Sequence, residues 1–402
     1  MQSSVFTTKR FLAGEVFPFP DAPIERGVVT VIEGEVTAIS ELAASDPSIP
    51  LHDLGDVALF PAPLNLHTHL LFSGRAIPVG EAGSSFPSWL AEVGKVQAAH
   101  TTPPEKRFRE GHKQAQNSDA ALVADFCPDP EWALDLSTAQ PPLFAFHELI
   151  APTLARTEGV LESVKTFLGQ YVACDEEDAL PWRRYGLAPH ALYSTTTELL
   201  EGSVELAKEY DLPLAIHLAE SPEERECLAA GTGPLAEFLR SFVPDWSPQP
   251  SGEADTYLPA LELLAQAPRV LLIHANYLNA NELDFLAQHR EKFGIVHCPY
   301  SHRWFGYDRF PLEAVLERGI PVALGTDSPA SGGVLEMTEN IRLLRRERPG
   351  IPLVELLRMA TTTAAQLLGL DVANPFGSHY DGAFGRLQIG QRCSLVTTPR
   401  LP

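Results

Sequence analysis

Residues 58–70 read ALFPAPLNLHTHL, an apolar run that ends in a His-x-His pair, His67 and His69. Three later runs end in the same way: LPLAIHLAE at His217, RVLLIHANY at His274 and IPVALGTDS at Asp327. Four or more apolar residues leading to one polar residue is the pattern of a strand buried on both faces. Residues two apart in a strand point to the same side, so His67 and His69 can share one interior. Taken singly, each histidine could be a hydrogen-bonded core residue. Taken together, at matching strand ends, they predict one metal centre.

Working outward, the central chain repeats a strand-then-helix rhythm. The expected strands are ALFPAPLNLH, AALVADFC, LFAFHELI, YGLAPHAL, LPLAIHLA, RVLLIHAN, FGIVHCP and IPVALGTD. Between the later ones lie TELLEGSVELAKEY, DTYLPALELLAQA, NELDFLAQHREK and PLEAVLERG, with apolar residues at helical spacing. Eight apolar strands alternating with helices imply an α/β fold, a TIM-like (β/α)8 barrel; a doubly wound open sheet is the alternative. In such a barrel, reactive groups belong at the C-terminal ends of the strands.

The ends of the chain differ from its middle. VFTTKRFLAG and RGVVTVIEGEVTAIS read as hairpins with a turn at Glu33-Gly34, and GAFGRLQIGQRCSLVTTP (382–399) has the same character. We therefore expect a small composite β-sandwich from residues 1–57 and 376–402, around a barrel of residues 58–375. The helical tail VELLRMATTTAAQLLGL (354–370) would close the barrel. VPDWSPQPSGEAD (243–255) reads as a surface loop, either a lid over the site or a plain insertion.

Acidic residues outnumber basic ones 52 to 30 over 402 residues, a net charge of −22. Such a chain repels nucleic acid and anionic membranes, so its expected partner is a small neutral or cationic molecule, with a homodimer as the base-rate assembly. No apolar run approaches the roughly 20 residues that span a bilayer, and no signal-peptide pattern opens the chain; the expected location is the cytoplasm. Five scattered cysteines without a C-x-x-C pair argue against disulfides and a thiolate zinc site.

His67, His69, His217 and Asp327 are the expected metal ligands. Neutral imidazoles and a carboxylate suit one divalent ion, zinc first and iron second, with a position left for water whose pKa falls toward about 7. Asp327 can also accept the proton that this water releases. Glu220, three residues after His217, stands where a carboxyl can protonate a substrate ring nitrogen; the competing reading is a glutamate at the start of a helix. His274 is assigned to orienting the attacking water or polarising the bond. His190, Ser301, His302 and Arg303 are candidate substrate residues. His297 and His147, with Glu148, have structural readings that are at least as good.

The segments PAPLNLHTHL, GLAPHALYS, HLAES, IHANYL, VHCPYS and GTDSPAS resemble the amidohydrolase superfamily, in its cytosine deaminase, S-adenosylhomocysteine deaminase and triazine hydrolase branch. The resemblance implies a metal-bearing barrel with a returning sandwich, metal on His67, His69, His217 and Asp327, and proton transfers through Glu220 and His274. The absence of lysine from the third and fourth expected strands implies a single metal. SHRWFGYDRF, with His302 where the branch usually has Asn, is similar to aminodeoxyfutalosine deaminases. SFPSWL (85–90) has Pro87 and Ser88 where other relatives place a ribose-binding glutamate. The expected activity is hydrolytic deamination of an aminopurine nucleoside, aminodeoxyfutalosine being favoured, with metal hydroxide attacking and ammonia leaving. Hydrolysis of a cyclic amide, an N-acyl compound or a halogenated heterocycle is the alternative, and a non-catalytic metal-binding protein the third reading.

Overall fold

The computed structural model describes residues 8–73, 77–134, 136, 141–171, 184–248, 257–371, 384–392 and 395–399. Eight parallel strands form one sheet in sequential order. They are β1 (Leu64–Thr68), β2 (Leu122–Cys127), β3 (Leu143–Leu149), β4 (Tyr185–Pro189), β5 (Pro213–Leu218), β6 (Arg269–His274), β7 (Phe293–His297) and β8 (Val322–Leu324). Nearly every residue in them is buried, as strands covered on both faces must be.

The sheet curls until its first and last strands meet. Thr68 and Asp327 form a parallel bridge, and the His67 carbonyl accepts from the amides of Thr326 (3.1 Å) and Asp327 (2.9 Å). That seam makes the structure a (β/α)8 barrel and excludes the open doubly wound sheet, whose outer strands could not touch. Asn65 ties the same seam: its side chain donates to Thr326 Oγ1 (2.7 Å) and accepts from the Thr326 amide (3.0 Å).

The intervening helices follow from their own sequences. Thr196 caps Thr197–Glu209 by accepting from the Leu199 amide. Asn279 and Glu282 form a reciprocal capping box at the start of Ala280–Gln288. The expected single helix over 354–370 is instead two, Leu353–Ala360 and Thr362–Leu367, because Thr361 leaves helical backbone at φ −127°, ψ −93°.

One expected strand was too long. ALFPAPLNLH splits into Val57–Pro61, which joins a separate four-stranded sheet, and β1, which opens the barrel. Pro61 and Pro63 supply the break, since proline cannot donate to a ladder. The four-stranded sheet runs Leu395–Pro399, Val57–Pro61, Glu15–Val16, Ile24–Glu25. A five-stranded sheet runs Gln391–Arg392, Glu35–Glu41, Gly27–Ile32, Thr8–Leu12, Leu51–Asp53. Val16 and Leu59 of one sheet share a core with Val29 and Val36 of the other. The turn at Glu33-Gly34 is present, both residues having positive φ (55° and 85°). Both sheets thus combine strands from the two ends of the chain.

By its contacts the chain forms two compact units. One comprises Asn65–Ser118 and Leu122–Leu335; the other comprises Met1–Leu64, Asp119–Ala121 and Glu336–Pro402. Of the loop at 243–255, residues 249–255 lie outside the described residues. Its beginning is anchored, with Trp246 buried and donating to the Tyr193 carbonyl at 2.8 Å.

The seam requires a glycine. A Cβ on Gly325 would lie 2.7 Å from His67 Cβ and 3.0 Å from the His67 backbone nitrogen. Gly325→Ala is therefore expected to force β1 and β8 apart and to destabilise the protein by about 1–3 kcal/mol. Thermal unfolding checks this; an unchanged midpoint would contradict the close approach.

Candidate metal centre and active site

The strand ends bring the predicted ligands together. One ring nitrogen from each of His67, His69 and His217 lies within 4.8 Å of the others. His69 Nε2 and His217 Nε2 are 3.2 Å apart, and Asp327 Oδ1 lies 3.7 Å from His67 Nε2 and 4.0 Å from His69 Nε2. Both ring nitrogens of His67 are buried without a hydrogen-bond partner. Buried polar atoms are rarely left so, and a cluster of lone pairs converging on one point is what a cation satisfies.

Electrostatics point the same way. Burial holds the His69 imidazole down to about 4 and that of His217 to about 3, with His67 also well below the usual range. All three are neutral at pH 7, the form that can ligate. His217 Nδ1 lies 2.9 Å from the His190 carbonyl, which can only accept; the proton therefore sits on Nδ1, and Nε2 faces the cluster.

Asp327 is fixed by three donors. Ser301 Oγ (2.7 Å) and Ser331 Oγ (2.8 Å) donate to Oδ2, and the Ser328 amide (2.8 Å) donates to Oδ1. Ser301, expected to meet substrate, is instead 1% exposed and committed to Asp327. Asp327 has φ 57°, and Ala219, His274 and Ala275 also have positive φ (53°, 69° and 52°). Left-handed backbone at non-glycine residues costs of order 1–3 kcal/mol each and collects at functional sites.

Glu220 follows the turn at Ala219. Its Oε1 lies 3.7 Å from His274 Nε2. Burial first, and then the charges of Asp327 and Glu224, push its carboxyl well above the usual range, which favours its protonated form. Burial likewise keeps His274 unprotonated. The imidazole rings of His274 and His217 are 5.6 Å apart, and those of His190 and His217 are 4.9 Å apart.

Several contributing residues escaped the sequence reading. Glu224 accepts from the amides of Ala219 and Glu220, both at 2.9 Å, and so clamps the strained turn that carries Glu220. Its spacing of four from Glu220 was visible, but the acidic run ESPEERE masked it. Asn276 donates to the Glu220 carbonyl (2.9 Å) and sits 3.1 Å from His302 Nδ1. Asp125 on β2 accepts from Thr68 Oγ1 (2.9 Å) and from the Leu70 amide (2.6 Å), holding the backbone on either side of His69. No sequence signal pairs β2 with that turn.

The remaining candidates separate. Arg303 is exposed on helix Pro299–Phe305. His297 stacks on Phe310 with ring centres 4.2 Å apart. His147 Nδ1 meets the Tyr185 hydroxyl at 2.9 Å. Glu148 lies on β3 with Oε1 4.0 Å from His190 Nε2, and burial raises its carboxyl to about 8.

Known proteins are similar to this chain in sequence and fold. The sequence pattern of the Amidohydrolase family matches residues 58–374. A 5-methylthioadenosine/S-adenosylhomocysteine deaminase of Thermodesulfovibrio yellowstonii is 26% identical over 94% of this chain and 81% of its own. An aminodeoxyfutalosine deaminase of Deinococcus radiodurans is 28% identical over 85% of this chain and 81% of its own. The crystal structure of Helicobacter pylori aminofutalosine deaminase in complex with methylthio-coformycin superposes with a TM-score of 0.74 at 20% identity, covering 97% of this chain and 91% of that one.

Glu148 gives the site a pH signature. Its folded-state carboxyl titrates near 8 against an ordinary value of 4.5. The folded protein thus binds the extra proton between those values, and stability falls as pH rises through that window. Wild type should lose stability relative to Glu148→Gln between pH 5 and pH 8 in urea titrations. Parallel curves would contradict the buried, protonated carboxyl.

Proposed function

Because the chain belongs to the amidohydrolase family, we propose that it is a metal-dependent hydrolytic deaminase of an aminopurine nucleoside, with aminodeoxyfutalosine the favoured substrate. The observation that carries this reading is the buried Glu220 carboxyl 3.7 Å from His274 Nε2, beside the imidazole cluster. Both named relatives described above are deaminases, which supports it.

The donor set fits a divalent metal. His67, His69, His217 and Asp327 would hold it, zinc first and iron second, since neutral imidazoles and one carboxylate suit both. When bound, such an ion lowers the pKa of water toward about 7 and so provides the nucleophile at neutral pH. The chemistry then belongs to residues 58–375, flanked by a composite sandwich of residues 1–57 and 376–402.

The protein's own side chains move the protons. Glu220 donates from its carboxyl to the ring nitrogen next to the amine-bearing carbon, which makes that carbon electrophilic. The Glu220 carboxylate so formed stays beside His274 Nε2. Asp327 accepts the proton lost by the attacking water on its carboxylate. That proton passes to the departing amine, and the proton of the newly attached hydroxyl returns to the Glu220 carboxylate, so one water enters, ammonia leaves, a ring carbonyl remains and both carboxyl groups regain their starting forms. Glu224 and Asn276 hold the Glu220 backbone still while this happens, and His190 keeps His217 in one tautomer. His302 and Arg303 remain candidates for substrate contact at the rim.

Two substitutions separate the roles. Glu220→Gln is expected to lower kcat about 10²- to 10⁴-fold while the metal content stays near one per chain. His217→Ala is expected to lose the metal and the activity together. Ammonia release with elemental analysis checks both; undiminished turnover by Glu220→Gln would overturn the acid role.

A further inference from the structure

Of the three clustered imidazoles, His69 is the one outside a barrel strand. β1 ends at Thr68, whereas His67 and His217 lie within β1 and β5. His69 leads instead into a single turn, Leu70–Phe72. There its carbonyl accepts from the Phe72 amide (3.0 Å), and the Leu70 carbonyl accepts from the Ser73 amide (3.0 Å). Where the His69 ring sits therefore depends on what holds that turn.

Asp125 holds it from β2. The next residue, Phe126, packs against the rings of His67, His69 and His217, with ring centres 4.7, 5.5 and 4.6 Å away, and so faces the barrel interior. Successive strand residues face opposite ways, which puts Asp125 behind the site. Its Oδ1 accepts from the Leu70 amide (2.6 Å) and from Thr68 Oγ1 (2.9 Å). Its Oδ2 is buried without a hydrogen-bond partner, so this buried carboxyl is committed to the two residues that flank His69.

Gly111 holds the turn from helix Pro104–Ala115. A Cβ there would lie 2.1 Å from the Leu70 carbonyl oxygen and 2.8 Å from the carbonyl carbon. Those are backbone atoms, so no side-chain rotation could relieve the clash. Glycine weakens a helix interior, and here it admits the contact. Leu70, itself fully buried, is thus held at its amide by one element and met at its carbonyl by another.

We infer that Asp125 and Gly111 position His69 as a metal ligand and so set the metal affinity of the centre. Both act through the backbone of Leu70 rather than by touching an imidazole. The inference rests on the reading that His69 ligates a metal.

The test is zinc affinity of the folded proteins, measured by competition with a chromophoric chelator. Wild type should bind about one zinc per chain, and Asp125→Ala and Gly111→Ala should bind it about 10- to 100-fold more weakly. Asp125→Asn, whose amide oxygen still accepts from Leu70, should stay close to wild type. Gly202→Ala is the control. Its Cβ would crowd the Leu161 side chain at 2.7 Å, between two outer helices, and should leave zinc affinity unchanged. Should Gly111→Ala fail to fold, the two Asp125 variants decide. Wild-type affinity in Asp125→Ala, equal weakness in Asp125→Asn, or a comparable loss in Gly202→Ala overturns the positioning role. A wild type that takes up no zinc overturns the metal reading instead.

Discussion

The carbonyl of His67 accepts two amides from the far end of the barrel, those of Thr326 and Asp327, and the site depends on that seam. It closes the sheet, and in closing it carries Asp327 to within 4.0 Å of two histidines that precede it by more than 250 residues. Gly325 makes the approach feasible because no side chain intervenes. Asn65 holds the same seam, pairing both ways with Thr326. A metal bound there would add its own cross-link between the strand ends, so fold stability and metal occupancy should be coupled.

Burial then sets the protonation states. It pushes imidazoles toward their neutral form and carboxyls toward theirs, and the proposed deamination uses both: histidines free to ligate, and a Glu220 carboxyl able to give a proton. Asp327 is the contrast. Burial raises its carboxyl too, but three donors surround the carboxylate and counter part of that push. Two carboxyls about the same histidines thus face different surroundings, and the proposed division between an acid and a proton acceptor rests on that difference.

Much of this was legible in the sequence, for a physical reason. Polar residues at the ends of buried strands leave a mark, an apolar run closed by one polar residue, and His67, His69, His217, His274 and Asp327 all bear it. The eight strands were legible on the same ground. What an apolar run cannot tell is which sheet it joins; ALFPAPLNLH therefore concealed a change of sheet between Pro61 and Leu64. Residues that act through partners distant in sequence were also hidden. Asp125 matters because β2 lies beside the His69 turn, and Ser331 because a short turn aims it at Asp327. Ser301 looked like a substrate residue because it stands on the active face, but its hydroxyl is directed inward.

The central claim is tested most directly by ammonia release from the zinc-loaded protein, offered aminodeoxyfutalosine, adenosine, S-adenosylhomocysteine, cytosine, guanine and N-acyl compounds side by side. The account predicts ammonia from an aminopurine nucleoside, with the amine replaced by a carbonyl oxygen in the product. Silence on every amine, together with turnover of an acyl compound, would keep the metal centre and contradict the deamination assigned to it.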